Sequence, residues 1–328
     1  MRQTTLLSAL LAFGSLSAFA ADPQLLNMAP PGASTYAGIN VEQLKTSPFI
    51  QFLLTQMPES DSLNKFIAET GFDPRRDLTE VLIATAMPSA PAVSATAETG
   101  TPQGTPGIDI RSWAGVVLAK GTFNVPQILG VAANDAQVVV STYSGATLLT
   151  INKAEALAFV DASTAVAGNV SSVKAALDRR NGSNSISPAI MARINQLSTT
   201  LDAWTVSTGA LSSFIPGMAG PNGPSAVLSS ITQTSGGVKF GASIQLSVQA
   251  IAASAQDASS IGDLTKFAVQ MISAQGNGAN IPEAISTMLK SLVVSTDGTA
   301  VNVSLSMPED QLESLIKTTT SVSPAARI

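Results

Sequence analysis

The chain predicts an α+β fold in which antiparallel sheets are built from hairpins and strand-cap-helix units, with helices covering one face and two halves of similar plan. Three observations carry that prediction. Short runs rich in Val, Ile, Leu, Ala and Thr come in pairs separated by a few turn-forming residues, the mark of antiparallel neighbours. Other runs end at a polar capping residue and pass at once into apolar residues at helical spacing. Antiparallel pairs dominate, which favours this class over a doubly wound parallel sheet.

Tyr36-Ala37-Gly38-Ile39 is the first strand and Asn40 caps the helical run after it, in which Val41 to Met57 carries Leu44, Ile50, Phe52 and Leu53 at helical spacing, restarting at Ser47-Pro48. Strands Val81 to Ala86 and Trp113 to Ala119 flank a low-complexity loop, Pro88 to Gly107, that has too little apolar surface to bury. The second strand leads through Asn124-Val125-Pro126 into a helix over Gln127 to Ala133. Val138 to Thr142 and Ala146 to Ile151 form a hairpin around Tyr143-Ser144-Gly145. Leu157 to Val160 and Thr164 to Ala167 form another around Asp161-Ala162, and Gly168-Asn169 then starts a helix over Val170 to Arg179. Val227 to Thr234 and Val238 to Leu246 are expected to turn at Ser235-Gly236-Gly237. Leu292 to Ser295 and Thr299 to Leu305 flank Asp297-Gly298, where both central residues tolerate positive φ. Pro308-Glu309-Asp310 opens a last helix over Leu312 to Lys317, with acidic residues at its positive end.

Length and punctuation suggest two units. Residues 21–180 form an N-terminal α+β half with the loop at 88–107, residues 181–188 a polar, turn-rich linker, residues 189–318 a C-terminal α+β half, and residues 319–328 a flexible tail. Phe214 to Pro224, rich in Gly and Pro, is a second irregular segment. Both halves contain hairpins and strand-cap-helix units, which leaves open a diverged duplication sharing one continuous sheet.

Residues 1–20 read as a secretory signal: Arg2 supplies the positive start, Leu6 to Phe13 the apolar stretch, and Ala18-Phe19-Ala20 a small-x-small cleavage site. The mature chain then begins at Ala21 or close to it. No cysteine exists to take a lipid at that end, and no later run of about eighteen apolar residues spans a bilayer. The expectation is a soluble protein, periplasmic or extracellular, with no integral membrane segment after cleavage. Its 308 residues are enough to build a core without disulfides. The sequons at Asn169, Asn181 and Asn302 read as chance in a serine-rich bacterial chain.

Neither histidine nor cysteine occurs in 328 residues, which removes the usual proton shuttle, the strongest ordinary nucleophile and the common ligands of transition metals. A serine triad is excluded with histidine. Ser-x-x-Lys, one helical turn of spacing, is present at Ser62-Leu63-Asn64-Lys65 and Ser171-Ser172-Val173-Lys174. With 40 serines and 9 lysines roughly one such match is expected by chance, and the companion Lys-Thr-Gly is absent. Gly276-Asn277-Gly278 lacks what a phosphate loop needs. Glu59-Ser60-Asp61, Asp73 with Asp77, and Glu309-Asp310 lack calcium-loop spacing and read as caps and turns. No catalytic, cofactor-binding or metal-ligating residue is therefore assigned, and no cofactor. With 16 basic residues against 22 acidic once Arg2 is removed, and no basic stripe, nucleic acid is not expected as a partner. Aromatic content of 5% disfavours a stacking platform.

Thr70-Gly71-Phe72-Asp73-Pro74-Arg75-Arg76-Asp77-Leu78-Thr79-Glu80-Val81 reads as a helix stop at Gly71, an Asp-Pro turn, a charge cluster whose arginines pair with Asp73 and Asp77, and a strand start. Together with Ala37-Gly38-Ile39-Asn40, and Ala167-Gly168-Asn169 running to Ala175-Ala176-Leu177-Asp178-Arg179-Arg180, this segment resembles an uncharacterised family of exported bacterial proteins. The resemblance implies export and a bacterial source, and brings no activity or site residue. The reading is an exported, soluble, non-enzymatic binding or accessory protein of the bacterial envelope, its partner an unknown protein, peptide or lipid ligand. Two alternatives stay open: a metal-independent hydrolase using Ser62 or Ser171 with its lysine, and an envelope scaffold with a groove for peptide or lipid. Convergence of Trp113, Trp204, Arg75 and Arg76 on one concavity would point to a recognition site.

Overall fold

Asparagine side chains close the strand-cap-helix units at Asn40, Asn124 and Asn169. Asn40 ends β1 (Thr35–Asn40), and its side-chain oxygen accepts the Gln43 N–H at 3.0 Å, so the chain enters α2 (Val41–Leu44) with no loop between. Asn169 does the same between β7 (Thr164–Asn169) and α7 (Val170–Arg179), accepting from Ser172 N–H at 2.8 Å. In a computed structural model of the protein, described for residues 20–56, 60–85, 115–182, 186–209, 228–275 and 291–321, these units sit on one antiparallel sheet of twelve strands.

The remaining strands are β2 (Leu78–Thr85), β3 (Gly115–Gly121), β4 (Val138–Tyr143), β5 (Ala146–Ile151), β6 (Glu155–Phe159), β8 (Ala203–Thr208), β9 (Ile231–Lys239), β10 (Ser243–Ala252), β11 (Val293–Asp297) and β12 (Ala300–Pro308). The other described helices are α1 (Pro23–Met28), α3 (Pro48–Gln56), α4 (Asp61–Thr70), α5 (Pro74–Asp77), α6 (Val125–Ala132), α8 (Pro188–Ser198), α9 (Ala255–Gln275) and α10 (Glu309–Ser321). Across the sheet the strands run β11-β12-β10-β9-β8-β1-β2-β3-β7-β6-β5-β4, and α+β holds as the class. From the β1–β8 seam outward, β1-β2-β3-β7-β6 and β8-β9-β10-β12-β11 follow the same chain order. The hairpin β4–β5 is extra, appended at one edge.

One residue per strand forms a continuous row on one face: Val293, Ser304, Ser247, Gly237, Trp204, Gly38, Leu82, Leu118, Val166, Ala158, Leu148 and Ser141. The N-terminal part of this face is the main core. Leu25 and Met28 of α1, Val173 and Leu177 of α7, and Ile194 of α8 are at most 1% exposed and pack with Leu82, Leu118, Val166 and Trp204. The next residue along each strand faces the other way, and it too is often apolar: Leu149 beside Leu148, Phe159 beside Ala158, Ala165 beside Val166. A sheet apolar on both faces must be covered on both. Helix α6 packs over Leu149, Phe159 and Ala165, and Ala258 and Ile261 of α9 pack with Ile231, Ala252 and Val301. Helices therefore lie on both faces, which corrects the expectation of one covered face.

A second correction concerns the turn expected at Ser235-Gly236-Gly237. These residues lie inside β9, and the chain reverses at Phe240-Gly241-Ala242. The glycines serve a close strand approach instead of a turn: a Cβ on Gly236 would run into the Ser247 carbonyl, and one on Gly237 into the Ala203 carbonyl. Gly38 is used likewise, since a Cβ there would meet Trp204 Nε1 at 2.6 Å. The indole lies across its neighbour's backbone. Leu228, expected in a strand, is helical, and β9 begins at Ile231. The loop at 88–107, Phe214 to Pro224, Gly276 to Gly278 and the tail from 322 lie outside the described residues.

Candidate ligand cavity

The face opposite Trp204 carries a cavity of about 200 Å³ over the strands β3, β7 and β6. Its floor comes from two neighbouring rows of the sheet, Val117, Ala167 and Leu157 in one and Ala119, Ala165 and Phe159 in the other. Alanines at three of these six places keep the floor low. The walls are Phe123, Phe72, Leu78 and Ile128, with Phe66 at the rim, 44% exposed.

Local sequence chemistry holds those walls. Gly71, at φ 69°, ends α4 in the left-handed conformation and donates to Ile67 O at 2.8 Å, which brings Phe72 back toward the sheet. Asn124 caps α6, and Gln127 ties the two helices together by donating from Nε2 to Glu69 O at 3.0 Å. Four phenylalanines then run in contact: Phe66 meets Phe72 edge-on at 6.3 Å, Phe72 stacks on Phe123 at 5.3 Å, and Phe123 tilts against Phe159 at 5.6 Å. Such contacts add about 0.5–1.5 kcal/mol each beyond area burial. No polar or titratable side chain is among the lining residues, so the cavity offers no hydrogen bond, no ion and no proton.

The residues singled out in the sequence lie elsewhere. Ser62 is exposed at the start of α4 with its Oγ 2.7 Å from Ser60 Oγ, while Lys65 reaches Glu69 at 3.8 Å. Ser171 Oγ donates to Asn169 Oδ1 at 2.7 Å, and Lys174 lies 5.0 Å from the Tyr143 ring centroid. A third Ser-x-x-Lys, Ser314 to Lys317 in α10, has the same spacing; Ser314 Oγ donates to Asp310 O at 2.8 Å. Within the charge cluster each arginine is held by a neighbouring aspartate, and Lys45 Nζ donates to the Arg76 carbonyl at 2.6 Å. Arg75 binds Asp73 with two hydrogen bonds of 3.0 and 2.9 Å, and Arg76 binds Asp77 at 2.6 and 2.7 Å. Those guanidinium hydrogen bonds hold both carboxyls below the usual aspartate range. Trp204 is 6% exposed in the main core, Arg75 and Arg76 face solvent, and Trp113 and Glu59 lie outside the described residues. The three described members of that group do not converge. Asp61, Glu309 and Asp310 stand in the first turns of α4 and α10.

The cavity-forming phenylalanines and alanines escaped the sequence reading because they follow ordinary strand and helix periodicity. Their signal, small residues facing outward across from aromatics, appears only once register is known. A second concavity of about 250 Å³ lies on the main-core face between Pro30, Gly32, Val116 and Ala175. Its one charged lining residue, Arg179, donates to Met28 O at 3.2 and 2.8 Å.

The class these features define is an α+β protein with a wide antiparallel sheet and a wholly apolar cavity on one face. No protein-family model and no curated protein matches the chain, in agreement with its resemblance to an uncharacterised family. Among solved structures, crystal forms I, III and IV of TP0453 align with 92%, 91% and 92% of this chain and 99% of their own, at 11%, 12% and 12% identity and TM-scores of 0.46, 0.48 and 0.48. That likeness is distant. Among the described residues no helix is long and apolar enough to cross a membrane.

Proposed function

We propose that the chain is an exported, non-enzymatic binding protein of the bacterial envelope whose cavity between α4, α6 and the sheet takes a hydrocarbon chain. The supporting observation is the lining: twelve residues, all apolar, around about 200 Å³. An apolar cavity of ~150 Å³ stays dry and accepts a small hydrocarbon, so this one suits a stretch of acyl chain. A peptide fits less well. Its backbone would bring N–H and C=O groups into a site with no partner for them, at about 1–3 kcal/mol for each group left unpaired. A methylene chain makes no such demand.

Against the hydrolase reading stand the hydroxyls of Ser62 and Ser171, hydrogen-bonded to Ser60 and Asn169. Export, and the periplasmic or extracellular location, rest on the leader sequence and the resemblance. We also read residues 21–180 and 189–318 as diverged copies joined by 181–188, because β1-β2-β3-β7-β6 and β8-β9-β10-β12-β11 share their order and each ends in a helix after its fourth strand in the sheet, α7 or α10.

The test is titration of the purified protein with a dansyl-labelled fatty acid, with Ala167→Leu as the blocked form. Saturable blue-shifted emission in the parent, weakened by about tenfold or more in the variant, is the expected result, corresponding to ~1.4 kcal/mol. Equal binding in both proteins, or none in either, overturns the proposal. Labelling of Ser62 or Ser171 by a fluorophosphonate probe would instead favour the hydrolase.

A further inference from the structure

We infer that the α-ammonium created by cleavage after Ala20 docks against the carboxylate of Glu80, so that export processing supplies an ion partner which the unprocessed chain lacks. The inference rests on the leader reading and concerns a separate place from the cavity. The boundary between surface and core falls at the cleavage position. Ala20 is exposed, Ala21 is 5% exposed, and Leu25, Leu26 and Met28 are 0%, 3% and 0% exposed within the main core. A new terminus at Ala21 is therefore pinned by the buried turn of α1 just after it.

Glu80 stands next to that terminus. Its Oε1 and Oε2 accept the Asp22 N–H at 3.0 and 3.3 Å, and Ala21, Asn40, Glu80, Ser198 and Trp204 border a crevice of about 10 Å³. That is about the room of one water, and an ammonium group is of that size. The amide held by the carboxylate lies one peptide unit from the Ala21 nitrogen. Among the described residues no cation is paired with Glu80. The neighbouring cation, Lys120 across the strand pair, is turned to Asp22 Oδ2 at 3.4 Å and Gln24 Oε1 at 2.5 Å. Burial pushes the Glu80 carboxyl up, the Asp22 amide holds it down, and of the two facing charges Asp22 raises it and Lys120 lowers it. Asn40 and Ser198 are neutral. A part-buried carboxylate short of a cation sits where cleavage would deliver one.

The sign follows from linkage. An ammonium paired with Glu80 has its pKa raised above the ordinary α-amino range of ~7.7–8.0. Its stabilisation is then complete below that range and lost as pH rises through the raised value. The experiment starts from protein exported by a bacterial host. Intact mass should show a chain starting at Ala21; any other start overturns the leader reading and the docking together. With the start at Ala21, the guanidinium midpoint should fall between about pH 7 and about pH 10 in the parent, and this fall should be smaller in Glu80→Gln. If Glu80→Gln does not fold, a chain with one extra residue before Ala21 replaces it, since it keeps Glu80 and its bond to Asp22 but displaces the amine. An equal fall in parent and comparison chain, with the start at Ala21 established, overturns the docking and leaves the leader reading intact.

Discussion

Ala167→Leu should hold or raise stability although it enlarges a side chain on a sheet that is covered on both faces. Ala167 lies between Val117 and Leu157 on the cavity floor, half-buried, with about 200 Å³ of space above it. Leucine adds three carbons, and at ~0.8 kcal/mol for each buried methylene the ceiling is about 2.4 kcal/mol. Partial exposure at the rim lowers the expected gain to about 1 kcal/mol. Ala158→Leu is the control on the opposite face: Ala158 is 0% exposed and belongs to the main core, where α7 packs on its strand. There the same three carbons have no space, and overpacking costs about 1–3 kcal/mol. Guanidinium unfolding followed by tryptophan emission measures both. The two variants should differ in sign, and a loss in Ala167→Leu as large as in Ala158→Leu would refute the cavity as open space.

Asp202→Ala should be among the most damaging single changes outside the main core. Asp202 is 2% exposed and accepts from Lys239 Nζ at 2.6 Å and Phe240 N–H at 2.7 Å, and its loss strands the Phe240 N–H at the β9–β10 turn while Lys239 keeps Gln43 Oε1 at 3.1 Å. Because Lys239 is 41% exposed and can rehydrate, about 2–3 kcal/mol is expected by chemical denaturation, below the range for a fully buried pair. Asn169→Ala should cost about 1 kcal/mol by removing the α7 cap, and Asn169→Asp should restore most of it. Asp77 gives a pH signature. Its carboxyl lies below the ordinary range, so its contribution is present above that range and lost as pH falls through the lowered value. Since Arg76 is 66% exposed, the effect is small, about 0.2–1 kcal/mol, read as a flatter midpoint in Asp77→Asn between about pH 6 and pH 3.

Local structure was legible wherever one residue type answers one backbone need. Asn40, Asn124 and Asn169 cap the helices expected of them, Pro48 restarts one, and the turn at Tyr143-Ser144-Gly145 falls where expected, while the one placed at Asp297-Gly298 comes a residue later, at Gly298-Thr299, with Asp297 still paired to Ala300. Ser235-Gly236-Gly237 misled because paired glycines mark turns and close strand approaches alike, and only pairing with Trp204 and Ser247 separates the two. Helices on both faces were foreshadowed by consecutive apolar pairs such as Leu148-Leu149, a pattern that also suits a buried helix. The cavity was not legible, because it depends on which strands lie side by side. Val117, Leu157 and Ala167 are neighbours by register, although the first and second stand 40 positions apart in the sequence.

If the proposed duplication holds, the appended hairpin β4–β5 accounts for why the cavity belongs to one half. In the C-terminal half, α9 follows β10 and packs on β10, β11 and β12, with Ala258 and Ile261 closing that stretch of the face. The corresponding helix of the N-terminal half, α6, follows β3 and precedes the extra hairpin, so its chain must run out to the sheet edge where β4 begins. It packs against β4 and α4 and over Leu149, Phe159 and Ala165, and it leaves open space above Val117 and Ala167. Alanines rather than large residues line much of the uncovered floor, and the phenylalanine run from Phe66 to Phe159 walls it. On the proposed duplication, the two halves began with the same closed face, and insertion of one edge hairpin drew a helix outward. An apolar ligand site would then arise from packing geometry alone, with no histidine, cysteine or charged group required.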